Sequence, residues 1–332
     1  MIPICKNDNV TIYRKQWVDY LRAMSIVLVV ISHAMTYASN TYGCFLNRGG
    51  NTCSLIIDLI DVPTFFILSG YLSRKQPLKK YYKKKIRQLL VPFIWFTSLK
   101  LVCNLLTGSF SHSESVAGEF VLAYIDGEYY WFSYCLFIMV LISPLLWELK
   151  KKSLICIWIV STIIYFVASF LGGFSIGGGL FQIVSVLRYF PWFLGGCLLK
   201  CLGFPSDNRL ANIILLSFSA IYGIIGVILC WTGMMNYHVN ELLLSVAVFF
   251  VMYSVFVRIQ KKNRILELIS KYSYQIFFLD SFVKIILFTI IAKITSISAI
   301  TVAFIVVLNI LISVSICMIV SKIKYLRALF GI

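Results

Sequence analysis

Charge is what this chain has least of. Only 13% of its 332 residues are Asp, Glu, Lys or Arg, and just 13 of those are acidic, whereas an ordinary globular domain carries about 25% charged residues. So few charges exclude a hydrated soluble domain, and an apolar share of 60% excludes a disordered tail. Long linkers and low-complexity blocks are missing as well, and the length rules out a small secreted disulfide scaffold. No small-residue cleavage site follows the polar first twenty residues, so no cleaved signal peptide is expected.

What the chain has instead is apolar length. A helix needs about 20 mostly apolar residues, within about 17–25, to cross the hydrocarbon core of a bilayer. Ten runs meet that need: 22–39, 55–73, 88–107, 130–148, 153–171, 183–200, 210–232, 241–258, 273–292 and 299–320. The expected fold is all-α, a polytopic membrane protein of about ten transmembrane helices with both termini on one side. Residues 1–21 then form an N-terminal cytoplasmic segment and residues 74–87 a basic cytoplasmic loop.

The net charge of +17 would suggest nucleic acid if it formed a patch on a soluble fold. Placed on ten spans with the N-terminus inside, 24 of the 30 basic residues fall on the cytoplasmic side. Only Arg48 and Lys293 fall outside, and Arg22, Lys100, Arg188 and Lys284 lie within spans. That is the positive-inside bias, so no nucleic-acid partner is expected, and anionic lipid headgroups are the residual attraction. Eight of the ten cysteines sit in spans or on the inner side. Cys44 and Cys53 share the first outer loop, where a disulfide and two free thiols are both open.

A charge retained near the bilayer centre is a functional-site hypothesis. Arg22 and His33 stand eleven residues apart on the first span, about three turns plus 20° and a rise of about 16.5 Å. They project from the same face, one at the inner mouth and one deep in the membrane. An arginine there can hold a phosphate and an imidazole can act as a base; an orientation anchor and a hydrogen-bonded packing residue are the plainer alternatives. In the second span Pro63 and the pair Ser69-Gly70 interrupt an apolar helix, small residues that permit close helix approach or access to the backbone. Directly after it come Arg74, Lys75, Lys79, Lys80, Lys83, Lys84, Lys85 and Arg87, either a topology anchor or a phosphate-binding segment.

Asp280 and Lys284 are spaced i,i+4 with the acid first, the favourable order for a helical ion pair; a proton relay through Asp280 is the other reading. Asp58, Asp61, Glu128, Tyr130 and Trp131 gather near the outer face with Tyr124, Tyr129 and Tyr134, as an aromatic interfacial belt or as groups that bind a sugar. Arg188 and Glu241 receive no role. The run 172–179 is a glycine-rich outer loop, which lacks the Lys and Ser/Thr of a phosphate-binding loop.

These residues together resemble a family. Arg22, ten residues and His33 are followed by Phe65-Phe66-x-x-Ser69-Gly70-Tyr71, a basic patch closing on Leu89-Leu90-x-Pro92, Tyr130-Trp131-Phe132, Pro191-Trp192-Phe193-Leu194-Gly195 and Ser270-Lys271-Tyr272-Ser273-Tyr274. The set is similar to the membrane-bound acyltransferase-3 family, especially its polysaccharide O-acetyltransferase and fucose 4-O-acetylase-like members. The resemblance implies a single integral membrane acyltransferase domain over 1–332 in the cytoplasmic membrane. It also implies transfer of acetyl from acetyl-CoA, as acyl donor, to a hydroxyl of a surface glycan or its lipid-linked precursor, with no metal expected. Carried over by motif, His33 is the base, or the carrier of a covalent acyl group, and Arg22 its partner near the coenzyme. Ser69, Gly70, Lys84, Lys85 and Arg87 line the coenzyme site. Two positions depart from the pattern: Lys85 and Gln88 stand where relatives commonly carry Arg-x-x-Arg, and Asp280 where they often carry His. A transporter or flippase of a glycolipid precursor is the alternative, although no repeat between the two halves supports it. A catalytically idle scaffold is the third reading.

Overall fold

The computed structural model describes residues 16–45, 53–54, 56–108, 115–176, 180–204, 209–232, 237–259 and 262–332. Residues 1–15 of the N-terminal segment, Arg48 and the last glycines of the 172–179 run lie outside that set. Among the described residues there is no strand. In chain order the helices are α1 (Gln16–Tyr42), α2 (Asp61–Leu72), α3 (Leu78–Lys85), α4 (Val91–Thr107), α5 (Val116–Phe120), α6 (Trp131–Leu146) and α7 (Lys151–Phe170). They continue with α8 (Ile183–Cys201), α9 (Arg209–Thr232), α10 (Tyr237–Phe256), α11 (Arg264–Lys271), α12 (Ser273–Ile291), α13 (Ala299–Val320) and α14 (Lys324–Leu329). Eight helices among the described residues are long and apolar enough to cross a membrane, so the chain is an all-α polytopic membrane protein.

One of the ten expected spans holds a helix shorter than the bilayer is thick. The run 55–73 folds as a turn at Leu59 and Ile60 followed by the 12-residue α2, which rises only about 18 Å. The eighth run lies largely within α10, whose 20 residues rise about 30 Å. In α2 the break falls beside Asp58 and Asp61, which line a cavity, where interrupted backbone at membrane depth is tolerated.

The basic segment 74–87 also differs from a loop. Only its start is irregular; α3 runs through a π-helical turn at Ile86–Leu90 into α4 as one rod. Pro92, which has no N–H to donate back to Gln88, sits at this junction.

Helix α1 is the axis of the bundle and packs against α2, α10, α11, α12 and α13. Ala23, Ser25, Ser32, Ala34 and Ala38 are buried along it, small side chains that let neighbouring helices approach closely. Two cores meet on α1. One joins its middle to α4, α12 and α13; the other joins its inner end to α2, α6, α8 and α10. In the first, the Phe96 and Phe278 rings stack with centroids 4.7 Å apart. The outer faces of α7 and α9 leave Ile163, Val167, Phe218, Ile221 and Ile224 exposed, as suits helices whose surroundings are lipid.

The closest helix contact joins α2 to α8. A Cβ placed on Gly70 would sit 1.9 Å from the Phe193 carbonyl oxygen, and one on Gly196 would sit 1.9 Å from the Ile67 carbonyl oxygen. Gly70, expected to line the coenzyme site, is therefore the contact point between two backbones. Cys44 and Cys53 are both free, and the Cys44 thiol donates to the Ile297 carbonyl at 2.7 Å.

Candidate active site

Three helices bring the polar groups of the membrane interior together. His33 comes from α1, Asp280 and Lys284 from α12, and Asn309 from α13. His33 Nδ1 lies 2.7 Å from Asp280 Oδ2. The Asn309 side-chain amide donates to Asp280 Oδ1 at 2.8 Å, and Ser313 Oγ donates to Asn309 Oδ1 at 3.2 Å. Lys284 Nζ approaches Asp280 Oδ2 at 3.5 Å, the i,i+4 pair expected from the sequence. Asp280 is 1% exposed while the His33 side chain is 43% exposed, so the acid is sealed and the imidazole is not. Because a carboxylate only accepts, Nδ1 carries the proton, and the free lone pair is on Nε2.

His33 opens into an outer cavity of about 500 Å³, with Asp58, Asp61, Trp131, Arg188 and Lys284 among its walls. Ser32 Oγ donates to Asp58, and the Val62 N–H donates to Asp61. The Trp131 ring stacks on Tyr189 with centroids 5.4 Å apart. Arg188 is held by Glu241 through two bonds, Nη2 to Oε1 at 2.7 Å and Nε to Oε2 at 3.2 Å, and Tyr165 donates to the same carboxylate at 2.9 Å. The two residues without an assigned role thus form a bidentate pair at the cavity wall.

Arg22 lines a different space, an inner cavity of about 280 Å³ shared with Ser69, Lys85, Gln88, Lys271 and Tyr274. Tyr274 is fixed there by donating to the Leu89 carbonyl at 3.1 Å. Val29, Val62, Phe132 and Phe277 belong to the walls of both cavities. Arg22 and His33 therefore line two adjoining chambers with four apolar residues in common, rather than the single channel that their shared helical face suggested. Lys84 and Arg87 line a third space, a bowl of about 670 Å³ at the lysine-rich end, which shares Gln88, Lys271 and Gly331 with the inner cavity.

Two of the expected acceptor groups stand elsewhere. Tyr130 is buried with its hydroxyl 3.0 Å from Ser281 Oγ and its ring under Lys100 Nζ, so it packs α6 onto α12. Glu128 opens the 3-10 turn Glu128–Tyr130 and is exposed, and it is not among the residues that line these cavities. Sequence reasoning passed over Asn309, whose one signal is an amide in the middle of the apolar run 299–320. Among the described residues no three His, Cys, Asp or Glu side chains converge as metal ligands.

This arrangement suits general-base chemistry. A buried anion holding Nδ1–H fixes the ring and stabilises the imidazolium formed when Nε2 accepts a proton. The sequence profile of one family, described as an acyltransferase domain, matches residues 15–320. No curated protein and no solved structure matches the chain. A match over nearly the whole chain, on a bundle of apolar helices with a carboxylate-braced imidazole at its centre, places the chain in the acyltransferase-3 family as a multi-pass membrane acyltransferase.

Proposed function

We propose that this protein moves an acetyl group from cytoplasmic acetyl-CoA to a sugar hydroxyl of a cell-surface polysaccharide or its lipid-linked precursor, in the cytoplasmic membrane, with His33 as the base. The observation that supports this reading is that the chamber holding Arg22 and the chamber holding the braced His33 adjoin, with Val29, Val62, Phe132 and Phe277 lining both. The donor enters beside Arg22 from the lysine-rich side, and its arm spans the rise of about 16.5 Å between positions 22 and 33. The acceptor occupies the outer chamber, where Asp58 and Asp61 receive hydrogen bonds from its hydroxyls and Trp131 offers a ring face.

The reaction follows from these placements. His33 Nε2 takes the proton of the acceptor hydroxyl as its oxygen attacks the thioester carbonyl carbon. The tetrahedral intermediate collapses with cleavage of the carbon–sulfur bond, and the leaving thiolate takes the proton from the imidazolium. The products are the sugar ester and the free thiol of the coenzyme, with no net proton released. Asp280 stabilises the imidazolium between the two transfers.

Replacement of His33 by Ala tests the reading. Acetyl transfer from labelled acetyl-CoA, assayed in membranes with a glycan acceptor, should fall by about 10²-fold or more, the usual contribution of a positioned base. Undiminished transfer would remove His33 from the mechanism. Passage of lipid-linked glycan across the bilayer without acetylation would replace the whole reading with a transporter.

A further inference from the structure

The basic bowl at the inner end is built from more of the chain than the lysine-rich segment. Lys80, Lys83, Lys84 and Arg87 form one wall, and Lys271 and Arg327 come to it from α11 and α14. Six cations line it, and among the described residues no acidic side chain does. Its floor at Gln88, Lys271 and Gly331 is also the mouth of the inner cavity, so a ligand can rest its head in the bowl and send a narrow arm inward. Arg327 follows residue 320, where the family match ends.

Both recruited cations are held in place. Ser270 Oγ donates to Asp19 Oδ1 at 3.0 Å, and the Asn263 N–H donates to the Tyr20 hydroxyl at 2.8 Å. These bonds tie both ends of α11 to α1 and so fix Lys271. The segment carrying Arg327 is anchored where Gln275 Nε2 donates to the Phe330 carbonyl at 2.9 Å and the Phe330 ring meets Phe96 edge-on at 4.9 Å. Gly331 has φ +70°, and a Cβ on it would lie 2.6 Å from Pro92 Cγ and 2.9 Å from the Gln88 carbonyl oxygen. Only glycine lets the chain pass this close under the π-helical turn.

We propose that Lys271 and Arg327, with Lys83, Lys84 and Arg87, hold the 3′-phosphate and diphosphate of the adenosine end of coenzyme A. The inference rests on the acyl-CoA donor proposed above and adds the residues that select its phosphorylated nucleotide. A phosphate monoester offers three strong acceptor oxygens, which an arginine fork meets bidentately and lysines meet as point charges. Anionic lipid headgroups share the phosphate chemistry. The concave bowl and its continuity with the inner cavity favour a ligand that has an arm.

The test measures binding of coenzyme A and of 3′-dephospho-coenzyme A to the purified full chain in nanodiscs of phosphatidylcholine, with and without phosphatidylglycerol. The wild-type chain should bind coenzyme A about tenfold or more tightly than the dephospho form, the loss expected for one charge-assisted hydrogen bond. Arg327→Ala and Lys271→Ala should each weaken coenzyme A binding by about tenfold and shrink that ratio. Arg327→Lys should restore part of the loss, which a misfolded variant would not. Wild-type discrimination near one, or Arg327→Ala binding as the wild type does, overturns the inference while leaving acetyl transfer intact. Loss of coenzyme A binding on adding phosphatidylglycerol, with Arg327→Ala lowering retention of that lipid, assigns the bowl to headgroups. No binding of either coenzyme form by the wild-type chain in phosphatidylcholine alone would overturn the donor reading itself.

Discussion

At Asp280 three partners share two carboxylate oxygens: Asn309 on Oδ1, and His33 and Lys284 on Oδ2. Buried charge is tolerated only when its lone pairs are met, and the closer approach on Oδ2 is that of His33. Asp280→Asn keeps the shape but removes the anion that would stabilise the imidazolium, so acyl transfer should drop by about 10²-fold or more with KM for the acceptor little changed. A large rise in KM with kcat unaltered would place Asp280 in acceptor binding instead. Asn309→Ala leaves Oδ1 without its donor at a site sealed from water; the cost is about 1–3 kcal/mol, read as a lower melting temperature together with a loss of kcat. The Asp280–Lys284 pair was legible in the sequence because both groups lie one turn apart on one helix. The His33–Asp280 pair was not, since its partners are 247 positions apart and only the packing of α12 on α1 brings them together.

Helices α2 and α8 show what small residues do at the next scale. Gly195 and Gly196 are neighbours, yet a Cβ on Gly196 would strike the Ile67 carbonyl at 1.9 Å while one on Gly195 would meet only Trp158 Nε1 at an ordinary 3.5 Å. Gly196→Ala should therefore push α2 away and cost about 1–3 kcal/mol, as overpacking does, and Gly195→Ala should be nearly neutral. Thermal unfolding of both variants in detergent compares them directly, and equal melting temperatures would contradict the interlock. Moving α2 also moves Ser69 and Val62, so Gly196→Ala should lower acyl transfer as well. The Ser69-Gly70 interruption was visible in the sequence, but not which of the two faced a cavity and which a neighbouring helix. That choice depends on where α8 lies. The break at Leu59 and Ile60 was hidden for a different reason: both residues are apolar, so a hydropathy run passes through a turn as smoothly as through a helix.

Across the whole molecule, the three spaces succeed one another from the lysine-rich bowl, through the chamber of Arg22, to the chamber of His33. That order was not legible as residue spacing, because α3, α11 and α14 converge on the bowl only in three dimensions. The sidedness expected from the sequence rests instead on the retention of basic residues on the cytoplasmic side during insertion. Cys53 makes that sidedness testable, since it is exposed and free in the segment expected outside, whereas Cys44 is half-buried and donates its thiol to Ile297. In intact cells a membrane-impermeant maleimide should modify the chain at Cys53, without prior reduction, and Cys53→Ser should abolish the labelling. A cysteine placed at Lys75, which is exposed beside Glu148 at the opposite end, should react only after the membrane is opened. Labelling at Lys75→Cys in intact cells would invert the topology, and with it the side from which the donor reaches Arg22. Labelling at Cys53 that appears only after reductant would mean that the two outer thiols are bridged, and the Cys44–Ile297 contact would have to give way.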